Sequence, residues 1–102
     1  MITFTDLLKR AKSEEIAIHT PTEKQAKTLL SELDKRGYKW ESGKKLTDRT
    51  FYEYYKKNTC YVFDDRYGRL LDKKVVCSPL DWYQKIGFTI IEFSEIDFKE
   101  KK

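Results

Sequence analysis

A chain of 102 residues with a formal net charge of +4 is long enough for one domain with one core. Its hydrophobic share is low at 39% and its charged share high at 37%, yet 15% aromatic residues supply the buried area that excludes disorder throughout. No apolar run approaches the ~18 residues that span a bilayer and no basic-then-apolar leader opens the chain, so a cytoplasmic protein without a membrane partner is expected.

The spacing predicts a first helix over 4–12, with Thr3 as cap and Phe4, Leu7, Leu8 and Ala11 as its apolar stripe. A strand over 15–19 follows, in which Ile16 and Ile18 face one way and Ala17 and His19 the other. The main helix is predicted over 21–36. Thr20 and Glu23 have the spacing of a capping box around Pro21, and Ala26, Leu29, Leu30 and Leu33 form one stripe. Gly37 ends this helix, a short strand is expected over 38–41, and Ser42-Gly43-Lys44-Lys45 is a turn by composition.

Residues 46–57 have neither helical nor strand period, and a short helix over 49–55 is the best fit. Thr59-Cys60-Tyr61-Val62-Phe63 has strong strand composition. Asp64-Asp65-Arg66-Tyr67-Gly68 reads as a hairpin turn, and Arg69-Leu70-Leu71 as the start of the return arm. Val75-Val76-Cys77 then leads into Ser78-Pro79-Leu80-Asp81, a second capping box, with Trp82, Tyr83 and Ile86 packing a short helix that Gly87 ends. The last strand, Phe88-Thr89-Ile90-Ile91-Glu92-Phe93, is apolar enough to be expected in the centre of the sheet. The strand, proline-containing box, helix, glycine and strand thus occur twice, either as a structural pseudo-repeat or as two separate uses of capping chemistry.

The expected fold is a single α+β domain over 1–98, with 99–102 frayed. A four- to five-stranded mixed or mainly antiparallel sheet is packed by the main helix and shorter helices. Its core is expected to hold Ile16, Ile18, Ala26, Leu29, Leu30, Leu33, Tyr61, Phe63, Ile90, Ile91 and Phe93.

Motifs for chemistry are sparse. The four glycines lie far apart, so no phosphate-cradling loop forms, and no HExxH, CxxC or GxSxG occurs. One histidine and two cysteines are too few for a closed zinc site. Cys60 and Cys77 read as small half-buried apolar side chains, with a disulfide or redox role as the alternative. His19 reads as a satisfied strand-face histidine rather than a general base, and Asp64-Asp65 as turn chemistry rather than a cation site. No catalytic residue, metal or cofactor is therefore assigned.

The distinctive feature is local basicity among aromatics. Residues 35–57 carry eight basic side chains against three acidic ones, a net +5, while the remainder of the chain sums to −1. Six of the fifteen aromatics lie in the same window. Lys39, Trp40, Lys44, Lys45, Arg49, Tyr52, Tyr55, Lys56 and Lys57 are the candidate partner-binding residues. Cations beside aromatic planes suit phosphates and bases, and equally suit a protein interface; a core with a solvated lysine rim has the same composition.

Thr20-Pro21-Thr22-Glu23, Gly37-Tyr38-Lys39-Trp40-Glu41-Ser42-Gly43 and Gly87-Phe88-Thr89-Ile90-Ile91-Glu92-Phe93-Ser94-Glu95-Ile96 resemble small accessory proteins of phages and prophages of Gram-positive bacteria. The likeness runs over 15–96, and its motifs are mostly structural. Some proteins of that kind are anti-defence factors, including anti-CRISPR inhibitors of Cas nucleases. The resemblance implies a stoichiometric inhibitor that binds a bacterial defence protein or nucleoprotein, and it assigns no site residues. A small basic nucleic-acid- or nucleotide-binding module is the alternative.

Overall fold

The computed structural model describes residues 1–63 and 73–98. The chain runs β1 (Ile2–Thr3), α1 (Phe4–Ala11), β2 (Ile16–His19), α2 (Glu23–Lys35), β3 (Lys39–Trp40), α3 (Tyr52–Tyr55), β4 (Thr59–Phe63), β5 (Lys74–Pro79), α4 (Leu80–Lys85), β6 (Thr89–Glu92) and β7 (Ile96–Asp97). The expected hairpin turn at 64–68, the start of the return arm and the tail at 99–102 lie outside the described residues.

The architecture is α+β. Five strands form a mixed sheet in the order β3-β5-β4-β2-β6, and β1 pairs with β7 in a separate two-stranded parallel ladder. β4 runs antiparallel to both β2 and β5, while β2 with β6 and β3 with β5 are parallel pairs. Within the five-stranded sheet, every strand except β4 therefore points the same way. The connection β2-α2-β3 passes two strands on one face, and β5-α4-β6 passes two strands in the opposite direction on the other face. Opposite direction on opposite faces gives both crossovers the same hand.

The main core lies on the α1 and α2 face. Ile16, Ile18, Tyr61, Phe63 and Val75 from the sheet meet Phe4, Leu7, Ala11, Ala26, Leu29, Leu30 and Leu33. A smaller cluster on the opposite face joins Ala17, Cys60 and Val62 to Tyr83 of α4. Period-two alternation places Tyr61 and its cross-strand partner Cys77 on the first face and Cys60 on the second. The two thiols are free and point to opposite sides of the sheet. No helix of the described residues is long and apolar enough to cross a membrane.

Several sequence expectations are corrected. The cap of α2 is Thr22, whose hydroxyl accepts from the backbone N–H of Gln25 at 3.2 Å. Thr20 is buried instead, and its hydroxyl and N–H both donate to the carbonyl of Thr59, at 3.2 and 2.9 Å. Continuing the β2–β4 ladder wins over capping, because a buried backbone carbonyl needs its donor. The second box also fails: Ser78 and Pro79 extend β5 opposite Cys60 and Thr59, and α4 starts without a side-chain cap.

β6 is an edge strand, not a central one. Its apolar run reports two covered faces rather than two neighbours: Ile90 packs on the α4 cluster, while Ile91 and Phe93 pack on the main core, all three only half-buried. In α4, Leu80 and Tyr83 turn inward, which leaves Trp82 and Ile86 at 49% and 42% exposure rather than packed. Tyr38, Trp40, Leu46 and Val75 join the core beyond those expected.

Candidate interaction cleft

The segment after β3 is shaped by three local choices. Gly43, at φ 92°, closes a tight turn in which Trp40 accepts from Gly43 N–H at 2.7 Å and donates to Lys44 at 3.0 Å. Leu46 is fully buried and anchors the following 3-10 turn, Leu46–Asp48, in the main core. Phe51 then takes a left-handed backbone, φ 58° and ψ 8°, immediately before α3. A bulky residue there costs about 1–3 kcal/mol and persists only where surroundings enforce it. Here the Phe51 ring meets the Trp40 indole edge-on at 4.8 Å, and the Arg49 guanidinium lies 4.6 Å over its centroid.

These choices build a cleft of about 510 Å³. Trp40, Val75 and Cys77 come from the sheet, Phe51, Tyr54 and Tyr55 from the α3 segment, and Glu41 and Ser42 from the turn. Tyr54 stacks on Phe51 at 6.0 Å and 28°, and stays 61% exposed. Arg49 holds Tyr54 in place: one terminal guanidinium nitrogen donates to the Tyr54 hydroxyl at 2.9 Å and to Glu53 at 2.8 Å. That clasp raises the Arg49 pKa, first through Glu53, and lowers the pKa of the Glu53 carboxyl. Burial pushes the Cys77 thiol up to about 12, so this cleft residue is a neutral thiol near neutral pH.

The nine residues expected at a partner surface divide. Tyr55 lines the cleft. Trp40 also lines it, yet only 6% of it is exposed, so the expectation of a surface tryptophan is corrected: strand alternation puts Trp40 on the core face with Tyr61. Lys39, its neighbour in β3, projects from the opposite face. Tyr52 is half-buried on the main core, and its hydroxyl donates to the Pro21 carbonyl at 2.7 Å. Arg49 is exposed but engaged as described. Lys44, Lys45, Lys56 and Lys57 are exposed. Lys44 is tied to the cleft through its carbonyl bond to Trp40, and Lys56 directly follows Tyr55. Phe51 and Tyr54 were not among the candidates; the aromatic density of 51–55 was the available signal.

Among the described residues no group of three or more His, Cys, Asp or Glu side chains is arranged to hold a metal. His19 is held on both ring nitrogens, by Glu92 at 2.8 Å and by the Lys57 carbonyl at 2.6 Å. Comparison with known proteins finds no matching family model, no matching curated protein and no matching solved structure.

Proposed function

We propose that this chain is a stoichiometric binding protein of the phage-accessory kind. It acts in the bacterial cytoplasm without catalysis, and it engages a defence protein or nucleoprotein through the aromatic cleft. The observation that carries the reading is Tyr54: a stacked aromatic side chain, 61% exposed, clamped by Arg49 at the wall of a 510 Å³ cleft. Exposed aromatics held rigid at a concave, apolar site are the usual anchor points of protein partners. The neighbouring lysines add charge complementarity, which speeds encounter more than it tightens the complex.

A second reading uses the same faces. A base can stack on the exposed face of Tyr54 while lysines hold the strand's phosphates. Capture from a bacterial lysate, with and without nuclease treatment, separates the two. A protein partner that persists after nuclease, and disappears when Tyr54 and Tyr55 are both changed to Ala, supports the first reading. Recovery of nucleic acid alone supports the second.

A further inference from the structure

A second cleft, away from the aromatic one, gathers positive charge from three elements. Lys9 and Lys12 stand one turn apart at the end of α1, Arg36 caps the end of α2, and Lys73 precedes β5. All four, with Thr5, Leu8 and Tyr38, line a space of about 310 Å³, and among the described residues no acidic side chain lines it. Ion pairs hold other cations of the chain: Arg10 with Glu14, Lys35 with Glu32, Arg49 with Glu53. Among the described residues Lys9, Lys12 and Arg36 have no carboxylate within ion-pair distance. Arg36 is nonetheless ordered, its guanidinium 4.8 Å over the Phe4 ring, which leaves it pre-positioned beside the lysines.

Cations at helix C-termini also complement the helix dipole. That role does not account for this cluster. The carbonyls of Lys9, Arg10, Leu33 and Asp34 already accept from backbone N–H groups, and that of Arg36 accepts from Lys73 Nζ at 3.0 Å. Three further cations are then left facing one space with like charge, an arrangement that an anionic ligand relieves. Ammonium groups act as point charges for phosphate, and cations spread over the ends of α1 and α2, lysines on one and Arg36 on the other, suit adjacent phosphate groups better than a single carboxylate.

We infer that the cleft between the ends of α1 and α2 is a binding site for a ligand that carries adjacent phosphates, either a free oligophosphate or a stretch of nucleic-acid backbone. Titrating the intact protein with tripolyphosphate at low salt, and separately with a short single-stranded oligonucleotide, tests it by amide chemical-shift changes. The expected result is saturable binding of at least one probe, with the shifts centred on residues 9–12, 36 and 73. A tighter response to tripolyphosphate identifies the free ligand, and a tighter response to the oligonucleotide the strand. Lys9→Gln with Lys12→Gln weakens the favoured probe on the order of tenfold, while Lys24→Gln with Lys85→Gln, on other faces of the chain, leaves it within about twofold. Both pairs are exposed and neutralised rather than reversed, and matching melts establish that they are folded. No saturable binding of either probe overturns the site, and so does equal weakening by the two lysine pairs, which marks diffuse charge attraction only.

Discussion

His19 and Glu92 face each other across the parallel ladder of β2 and β6, with imidazole Nδ1 2.8 and 2.9 Å from the two carboxylate oxygens. The other ring nitrogen lies 2.6 Å from the carbonyl of Lys57. One side chain thus joins the edge strand, the strand beside it and the turn that follows α3. Carboxylate and carbonyl both only accept, so whichever ring nitrogen carries a proton has an acceptor to donate to. His19→Ala is expected to lower stability by about 1–3 kcal/mol, since it strands a partly buried acceptor. Partner binding by the folded variant should be retained. Denaturant melts and a binding assay check the two halves separately, and a folded variant without binding would give His19 a direct role.

Leu30 is buried to 1% in the stripe of α2 that covers the sheet. Leu30→Ala should cost about 2–5 kcal/mol through lost burial and the cavity left behind. A shifted midpoint with an unchanged slope in urea would show loss of stability rather than a changed denatured state.

Alkaline pH should destabilise the fold. Burial raises the Cys60 thiol from 9.0 to about 12. Above about pH 9 the unfolded chain releases this proton and the folded chain keeps it, so stability falls as pH rises, by up to about 1.4 kcal/mol per unit, until about pH 12. Burial also raises Cys77, Tyr61 and Tyr83, which act in the same direction. Melts across this range test the sign. At neutral pH the native thiols should react slowly with a thiol reagent and rapidly once the chain is unfolded.

The basic residues of the turn should separate by role. Lys44→Glu with Lys45→Glu alters exposed cations outside the described ion pairs and is expected to change stability by less than about 0.5 kcal/mol. Arg49→Glu removes the clasp on Tyr54 and Glu53 and places two carboxylates together, so its melt should fall below that of the lysine pair. Equal melts for the two would show that the clasp does not order the cleft wall.

Much of the scaffold was legible because local and tertiary preferences agree there. The stripe Ala26, Leu29, Leu30, Leu33 has one period and one buried face, and the aromatic, β-branched run Thr59–Phe63 became a strand with the same bounds. Capping was misread where two uses competed for one residue: Thr20 has the spacing of a cap, but the carbonyl of Thr59 claims its hydroxyl. Strand position was misread because an apolar run encodes covered faces, and Ile90 and Ile91 have those at an edge. In the cleft, composition pointed to the right window but could not tell Trp40 facing the core from Tyr54 facing outward. That division rests on the left-handed Phe51, which no period announces.

The most direct measurement compares affinity for the captured partner between the parent protein and the folded Tyr54→Ala, Tyr55→Ala double variant, after nuclease treatment and at matched salt. Tyr54 is exposed and Tyr55 half-buried, so the melt should change little beside the change in binding. The expected result is a loss of at least about 2 kcal/mol in affinity, the size of an anchor residue, carried mainly by faster dissociation. Equal affinity for the two proteins would contradict the cleft as the binding site.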